Sequence, residues 1–161
     1  MARTSTPSNA KPAVASPLES HLGFWLRFVS NHVSARFAEL LATHDVTVSE
    51  WTALRTLDEQ SETRHAALID ALGMTKGAAS KIVTRLEAKG LAERRLAEDS
   101  ARDQWLALTP KGKRLVPVLA ALADANEAHF FGHLKAAERQ ALQAQMQALV
   151  AHHGLKSLPV S

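Results

Sequence analysis

The sequence predicts a mainly α-helical fold with a small β-wing: six helices and one two-stranded hairpin. Three observations carry this expectation. Apolar residues recur every three or four positions over most of the chain after residue 17. Capping residues and glycine stops divide that pattern into helices of unequal length. One stretch, residues 92–108, changes to two short strand-like runs around a polar turn. With 161 residues, 46% of them apolar, the chain can build one packed core or one subunit of a larger assembly.

Residues 1–17, MARTSTPSNAKPAVASP, are small, polar and proline-rich. They bring too little apolar surface to offset the entropy of ordering and read as a flexible arm. They also lack the apolar centre of a secretory signal. From Leu18 the pattern turns helical. Leu18, Leu22, Trp25, Val29, Val33 and Leu40 form a stripe widened by Leu26, Phe37 and Leu41, while Phe24 and Phe28 fall on another side. A long helix that is apolar on more than one side needs more than one neighbour.

In DVTVSEW, residues 45–51, Thr47 and Glu50 have capping-box spacing, and Val46 and Trp51 flank it as a hydrophobic staple. A helix therefore starts near Val48 and runs to about Asp58. After the polar stretch EQSET, a short helix spans roughly Arg64 to Leu72 and stops at Gly73. Thr75 caps the next helix, which ends before Gly90 with Leu91 tucked behind it. Residues 92–97 and 104–108 are the two strands, joined by the turn EDSARD. Thr109-Pro110 is a strong helix start for a segment reaching about Phe131, with Pro117 expected to bend or loosen its early turns. A last helix covers about Ala136 to His152 and ends at Gly154. The middle of this order, residues 47–109, is a helix-turn-helix with a wing. The flanks, 18–46 and 110–161, are helices without a complete partner inside the chain, which predicts a homodimer.

Composition bounds the function. Lys and Arg exceed Asp and Glu by 19 to 16, a balance that permits nucleic-acid binding without establishing it. The absence of cysteine excludes a disulfide framework, a thiol switch and a thiolate nucleophile. No apolar run approaches the roughly 18 residues needed to cross a bilayer, so a cytoplasmic location without membrane contact is expected. Catalytic signatures such as Gly-x-Ser-x-Gly or a phosphate loop are missing, and the expectation is no enzyme. His129 and His133 share a helical face and His152-His153 lie further on, but no acid or cysteine completes a ligand set. Neither a metal nor another cofactor is expected.

The segment TKGAASKIVTRLEAKGL, residues 75–91, carries the sharpest signal. On a helical wheel Ala79, Ile82, Val83 and Leu86 face inward. Thr75, Lys76, Gly77, Ser80, Lys81, Thr84 and Arg85 remain outside. Small residues at the start let such a helix seat deeply in a groove. Hydroxyls can bond phosphates or base edges, and Lys and Arg reach phosphates or guanine. A solvated amphipathic helix would show a similar charge pattern. The preceding short helix, the Gly73-Met74 turn and the following hairpin favour double-stranded DNA.

ASKIVTRLEAKGLAERR followed by DSARDQWLALTPKGKRLV resembles the winged helix-turn-helix of the MarR family of bacterial transcription regulators. The likeness extends from Leu18 to Gly154, including VTVSEWTALRTL before the motif and LKAAERQAL after it. It implies a homodimer whose first and last helices interlock, a recognition helix over 76–89 in the major groove, and a wing reaching towards the minor groove. The family's wing usually carries Asp-x-Arg. Here Asp99 and Arg102 are separated by two residues and Asp103 follows, with Arg102 three residues before Trp105, where the family's wing arginine is expected. The resemblance implies Arg102 as the wing contact, with less affinity than a pair of arginines would give.

A ligand site is the remaining expectation. Phe24, Phe28 and His32 follow one face of the first helix; Trp51 and Arg55 follow one face of the second. Packed beside the DNA-binding lobe, they would line a partly aromatic cleft. Each also fits ordinary core packing. The resemblance implies that such a cleft receives a small aromatic or phenolic effector. The sequence therefore predicts a dimeric regulator of a palindromic operator, a repressor relieved by such a ligand. The alternative is a winged-helix module for protein interaction or sequence-tolerant, architectural DNA binding.

Overall fold

Residues 15–60, 62–97 and 100–155 are described by the computed structural model. Residues 1–14 of the predicted arm lie outside them. After a 3-10 turn at Leu18–Ser20, the elements are α1 (Leu22–Ala42), α2 (Val48–Gln60), β1 (Glu62–Arg64), α3 (His65–Leu72), α4 (Lys76–Ala88), β2 (Ala92–Ala97), β3 (Ser100–Leu108), α5 (Pro110–Phe131) and α6 (Ala136–His153). The chain divides into two compact units between His32 and Val33.

The first unit holds the start of α1. Trp25 Nε1 donates to Glu19 O at 2.8 Å and ties the helix to the preceding turn. Most of its large apolar side chains are exposed: Leu22 is 69% exposed and Phe28 49%.

The second unit contains the winged lobe. Its core joins Leu41, Leu54, Leu57, Leu68, Ile82, Val83, Leu86, Leu106, Val116 and Leu119 from six elements. The predicted caps form. Thr47 N donates to Glu50 Oε2 at 2.9 Å, and Glu50 N donates to Thr47 Oγ1 at 3.2 Å. Gly73 and Gly154 close α3 and α6 in the left-handed region, with φ of 61° and 59°. Asn126, buried on α5, donates to Val33 O at 3.1 Å and accepts from Arg36 at 2.9 Å, fixing the last turns of α1.

Three sequence expectations need correction. The polar stretch after α2 contributes a third strand. β1 pairs with β3 through Glu62↔Ala107, Thr63↔Leu106 and Arg64↔Trp105, giving an antiparallel sheet in the order β1-β3-β2. Three residues are too few for alternation to show, and Arg64 ends the strand instead of starting α3. Second, β3 begins at Ser100 instead of residue 104. Its register with β2 jumps from Leu96↔Gln104 to Ala97↔Ser100, so residues 101–103 bulge out of the pairing. Third, the first long helix starts at Leu22, after a separate 3-10 turn. Pro117 sits inside a continuous α5, which forgoes one backbone hydrogen bond there.

The tightest packing lies where α5 begins. A Cβ on Gly112 would stand 2.1 Å from Leu91 O. Gly112→Ala should therefore cost roughly 1–3 kcal/mol or more in urea unfolding. Gly23→Ala, on an open surface of α1, should be neutral or stabilise by up to about 1 kcal/mol. Equal midpoints for the two variants would contradict this steric account.

Candidate nucleic-acid interface

α4 is built to present one face. Thr75 Oγ1 accepts from Ala78 N at 3.3 Å and caps the first turn. Ala79, Ile82, Val83 and Leu86 are all buried and hold the helix against the core. Its end closes through Gly90, φ 67°, with Gly90 N donating to Glu87 O and Leu91 N to Leu86 O, each at 2.8 Å.

Behind that end stands a buried ion pair. Lys89 Nζ is 2.9 Å from Glu50 Oε2, and the Glu50 side chain is 1% exposed. Lys89 Nζ also donates to Asp45 O. Lys89 thus belongs to the scaffold, although the sequence shows it as one more cation of the helix.

The outward face retains Lys76, Gly77, Lys81 and Arg85 in solvent, and Ser80 half-buried. Ser80, Lys81, Thr84 and Arg85 line one shallow depression on it. A Cβ added at Gly77 would meet nothing within 4 Å, so this point of the helix is open to close approach. Thr84 Oγ1 donates to Ser80 O at 3.0 Å and accepts from Arg94 Nη2 at 3.1 Å. Arg94 is itself held by Glu87 at 3.0 Å. Thr75 and Thr84 therefore have local hydrogen-bonding roles, while Lys76, Lys81 and Arg85 project a positive edge.

Two further residues join this surface without a sequence signal. His65 opens α3, and its Nε2 lies 3.5 Å from Ser80 Oγ across the turn of the motif. Burial, then the charges of Arg94 and Lys76, hold its imidazole below the usual pKa. Arg64 stacks on Trp105 at 5.2 Å from the ring centroid. Both contacts are made across the chain, where helical periodicity gives no warning. The backbone of Arg102 lies in the β3 bulge, and its side chain is outside the described residues, as are those of Asp99 and Asp103.

The expected ligand residues fall into two groups. Phe24, Phe28 and His32 stack along α1, with Phe24–Phe28 at 6.0 Å and Phe28–His32 at 4.5 Å between centroids. His32 Nδ1 donates to Phe28 O at 2.8 Å. Trp51 packs edge-on to Phe37 at 6.2 Å and lies under Arg55 at 5.8 Å. Arg55 is already paired with Glu59 at 2.9 Å and Asp58 at 3.5 Å, so an anionic ligand would have to compete with two carboxylates. Among the described residues, no three His, Asp or Glu side chains converge as metal ligands, and no helix is long and apolar enough to cross a membrane.

Comparison with known proteins agrees with this geometry. Residues 44–103 match the model of the MarR family. The transcriptional regulator HosA of Escherichia coli O157:H7 is 25% identical over 96 residues, covering 60% of this chain and 71% of its own. A mutant MarR from E. coli, solved in complex with operator DNA, superimposes with a TM-score of 0.72 at 21% identity, over 80% of this chain and 93% of its own. CouR from Rhodococcus jostii RHA1, bound to p-coumaroyl-CoA, gives a TM-score of 0.74 at 22% identity, over 91% of this chain and all of its own, 100%.

The Glu50–Lys89 pair separates scaffold from interface. Lys89→Met strands a carboxylate that is 1% exposed. Since Lys89 itself keeps some solvent contact, the expected loss is of order 2–3 kcal/mol. A melting curve unchanged from wild type would show that the pair contributes nothing.

Proposed function

We propose that the chain, whose residues 44–103 match the MarR family model, is a winged helix-turn-helix transcription regulator of that family: a homodimeric, sequence-specific repressor in the cytoplasm that releases a palindromic operator when it binds a small aromatic ligand. The observation that carries the DNA reading is the division of α4 into a buried apolar side and an exposed side bearing Lys76, Gly77, Ser80, Lys81 and Arg85. A helix of this kind enters the major groove, where Lys and Arg read guanine or hold phosphates. Arg102 on the wing would add a minor-groove contact that senses width and potential more than base identity.

Dimerisation follows from uncovered apolar surface. Leu22, Trp25, Leu26 and Val29 of α1 are exposed, as are Leu142, Leu149 and Val150 of α6, and no residue of α6 is buried. A second copy covering these faces would remove them from water at about 25 cal/mol per Å2. It would also set two α4 helices roughly 34 Å apart, one turn of DNA. A ligand that binds better to a different spacing would then release DNA by its differential affinity. The exposed stack Phe24–Phe28–His32 supports an aromatic ligand, as does the acyl-CoA bound by CouR.

Light scattering should give twice the chain mass at micromolar concentration; a monomer would remove the geometric basis of the model. Duplexes selected from a randomised pool should yield one palindromic sequence. Arg85→Ala or Lys81→Ala, whichever meets a base, should then cost about 1–3 kcal/mol and relax one position per half-site. Arg102→Ala should weaken all sequences alike. Salt-dependent binding with no enrichment of any sequence would instead establish the sequence-tolerant, architectural alternative.

Phenolic and aromatic acids should raise the melting temperature and displace the selected duplex. Phe28→Ala should abolish that displacement while leaving DNA affinity nearly intact. A panel of such acids that does neither would leave the DNA-binding reading without a ligand.

A further inference from the structure

His65 stands apart from the lysines and arginines of the interface because its charge can change near neutral pH. Its Nε2 faces Ser80 Oγ at 3.5 Å, the long end of a hydrogen bond, so the contact holds the hydroxyl weakly. Ser80 in turn borders the depression shared with Lys81, Thr84 and Arg85. We propose, resting on the DNA-binding reading above, that His65 is a DNA-backbone contact that binds as imidazolium, so that each half-site takes up a proton, and that this proton frees the Ser80 hydroxyl for the DNA.

The hydrogen-bond inventory links the two events. A neutral imidazole protonated on Nδ1 offers Nε2 as an acceptor, and the Ser80 hydroxyl can donate to it. An imidazolium has no acceptor left; both nitrogens donate. Ser80 Oγ then accepts from Nε2–H, and its own proton is turned towards a phosphate or base oxygen. The proton comes from solvent and goes to Nε2; no bond between heavy atoms forms or breaks.

Burial, and then nearby cations, disfavour the imidazolium in the free protein. α4 supplies Lys76 and β2 supplies Arg94, and both charges oppose protonation. Arg94 is partly compensated by Glu87. On β1, Arg64 adds another cation, stacked on Trp105 of β3. Of the α2 charges, Glu50 is taken by Lys89, and Arg55 by Asp58 and Glu59. A DNA phosphate brought against Lys76 and Arg94 reverses the local sign and favours the imidazolium. Protonation linked to binding makes affinity rise as pH falls through the window between the free and bound pKa values, the free one lying below 6.5.

The test uses the full chain and a duplex selected from a randomised pool. Wild type should bind it several-fold more tightly per half-site at about pH 5.5 than at about pH 8, with about tenfold as the limit for a one-unit rise in pKa on binding. Calorimetry in buffers of different ionisation enthalpy should show proton uptake. His65→Gln should remove both effects and bind at all pH values like wild type at high pH. His65→Arg, which keeps a cation, should lose the pH dependence and bind like wild type at low pH, and it serves if the Gln variant fails to fold. Ser80→Ala should keep proton uptake yet bind more weakly at low pH. A wild-type pH profile in either His65 variant, or no proton uptake by wild type, would overturn the proposal and leave DNA binding intact. Failure to select or bind any duplex at any pH would overturn the DNA-binding reading, and this proposal with it.

Discussion

The winged lobe depends on the backbone of Lys89, Gly90 and Leu91. Thr109 Oγ1 donates to Gly90 O at 2.6 Å, and Thr109 N donates to Leu91 O at 3.1 Å. Lys111 Nζ donates to Lys89 O at 2.8 Å. These carbonyls lie at and just beyond the C-cap of α4, where no further helical turn can pair them. Thr109 meanwhile caps α5 by accepting from Gly112 N at 3.1 Å. One threonine therefore ends one helix and starts another, and the missing side chain of Gly112 lets the two backbones meet. The Glu50–Lys89 pair fastens the same corner to the start of α2. Glu50 also completes the Thr47 capping box, so a single carboxylate serves a helix start and the end of the recognition helix.

This arrangement explains why α4 can leave its outer face uncommitted. The helix is positioned by its buried side and by its C-terminal end. Lys76, Lys81 and Arg85 are consequently free of the task of holding it in place, and their charge remains in solvent. The hydroxyls differ. Thr75 and Thr84 make local bonds, so any contact they give DNA must compete with or share those bonds. Ser80 has a weaker partner in His65 and is the hydroxyl most easily redirected.

Most of the fold was legible because its boundaries are local. Thr47, Gly73, Thr75, Gly90, Thr109-Pro110 and Gly154 each act within a turn of their own position. Helical periodicity likewise identified the buried side of α4 residue by residue. Interactions between distant positions were not legible. β1 is three residues long and gains its strand conformation from pairing with β3, not from its own composition. Lys89 reads as a surface cation until Glu50, 39 residues away, is seen beside it. His65 and Ser80 are brought together by the turn of the motif. Arg55 is a further case: its place beside Trp51 put it in the expected ligand cleft, while Asp58 and Glu59, one turn further on, already pair with it.

Burial also separates two tasks along the chain. The winged lobe encloses its own apolar residues, with Leu54, Leu68, Leu86 and Leu106 all at 0% exposure. The start of α1 and α6 are different: Leu22, Trp25, Leu26 and Val29 of α1 and Leu142, Leu149 and Val150 of α6 are exposed, and no residue of α6 is buried. Isolated helices gain little stability from propensity alone and draw it from a packed face. A second copy over these faces would tie the ordering of these segments to association, whereas the lobe has its own core. In the dimer proposed above, a signal that altered how copies associate would change the placement of α4 without unfolding the lobe that carries it. The unequal distribution of apolar burial is the physical basis for such regulation by geometry.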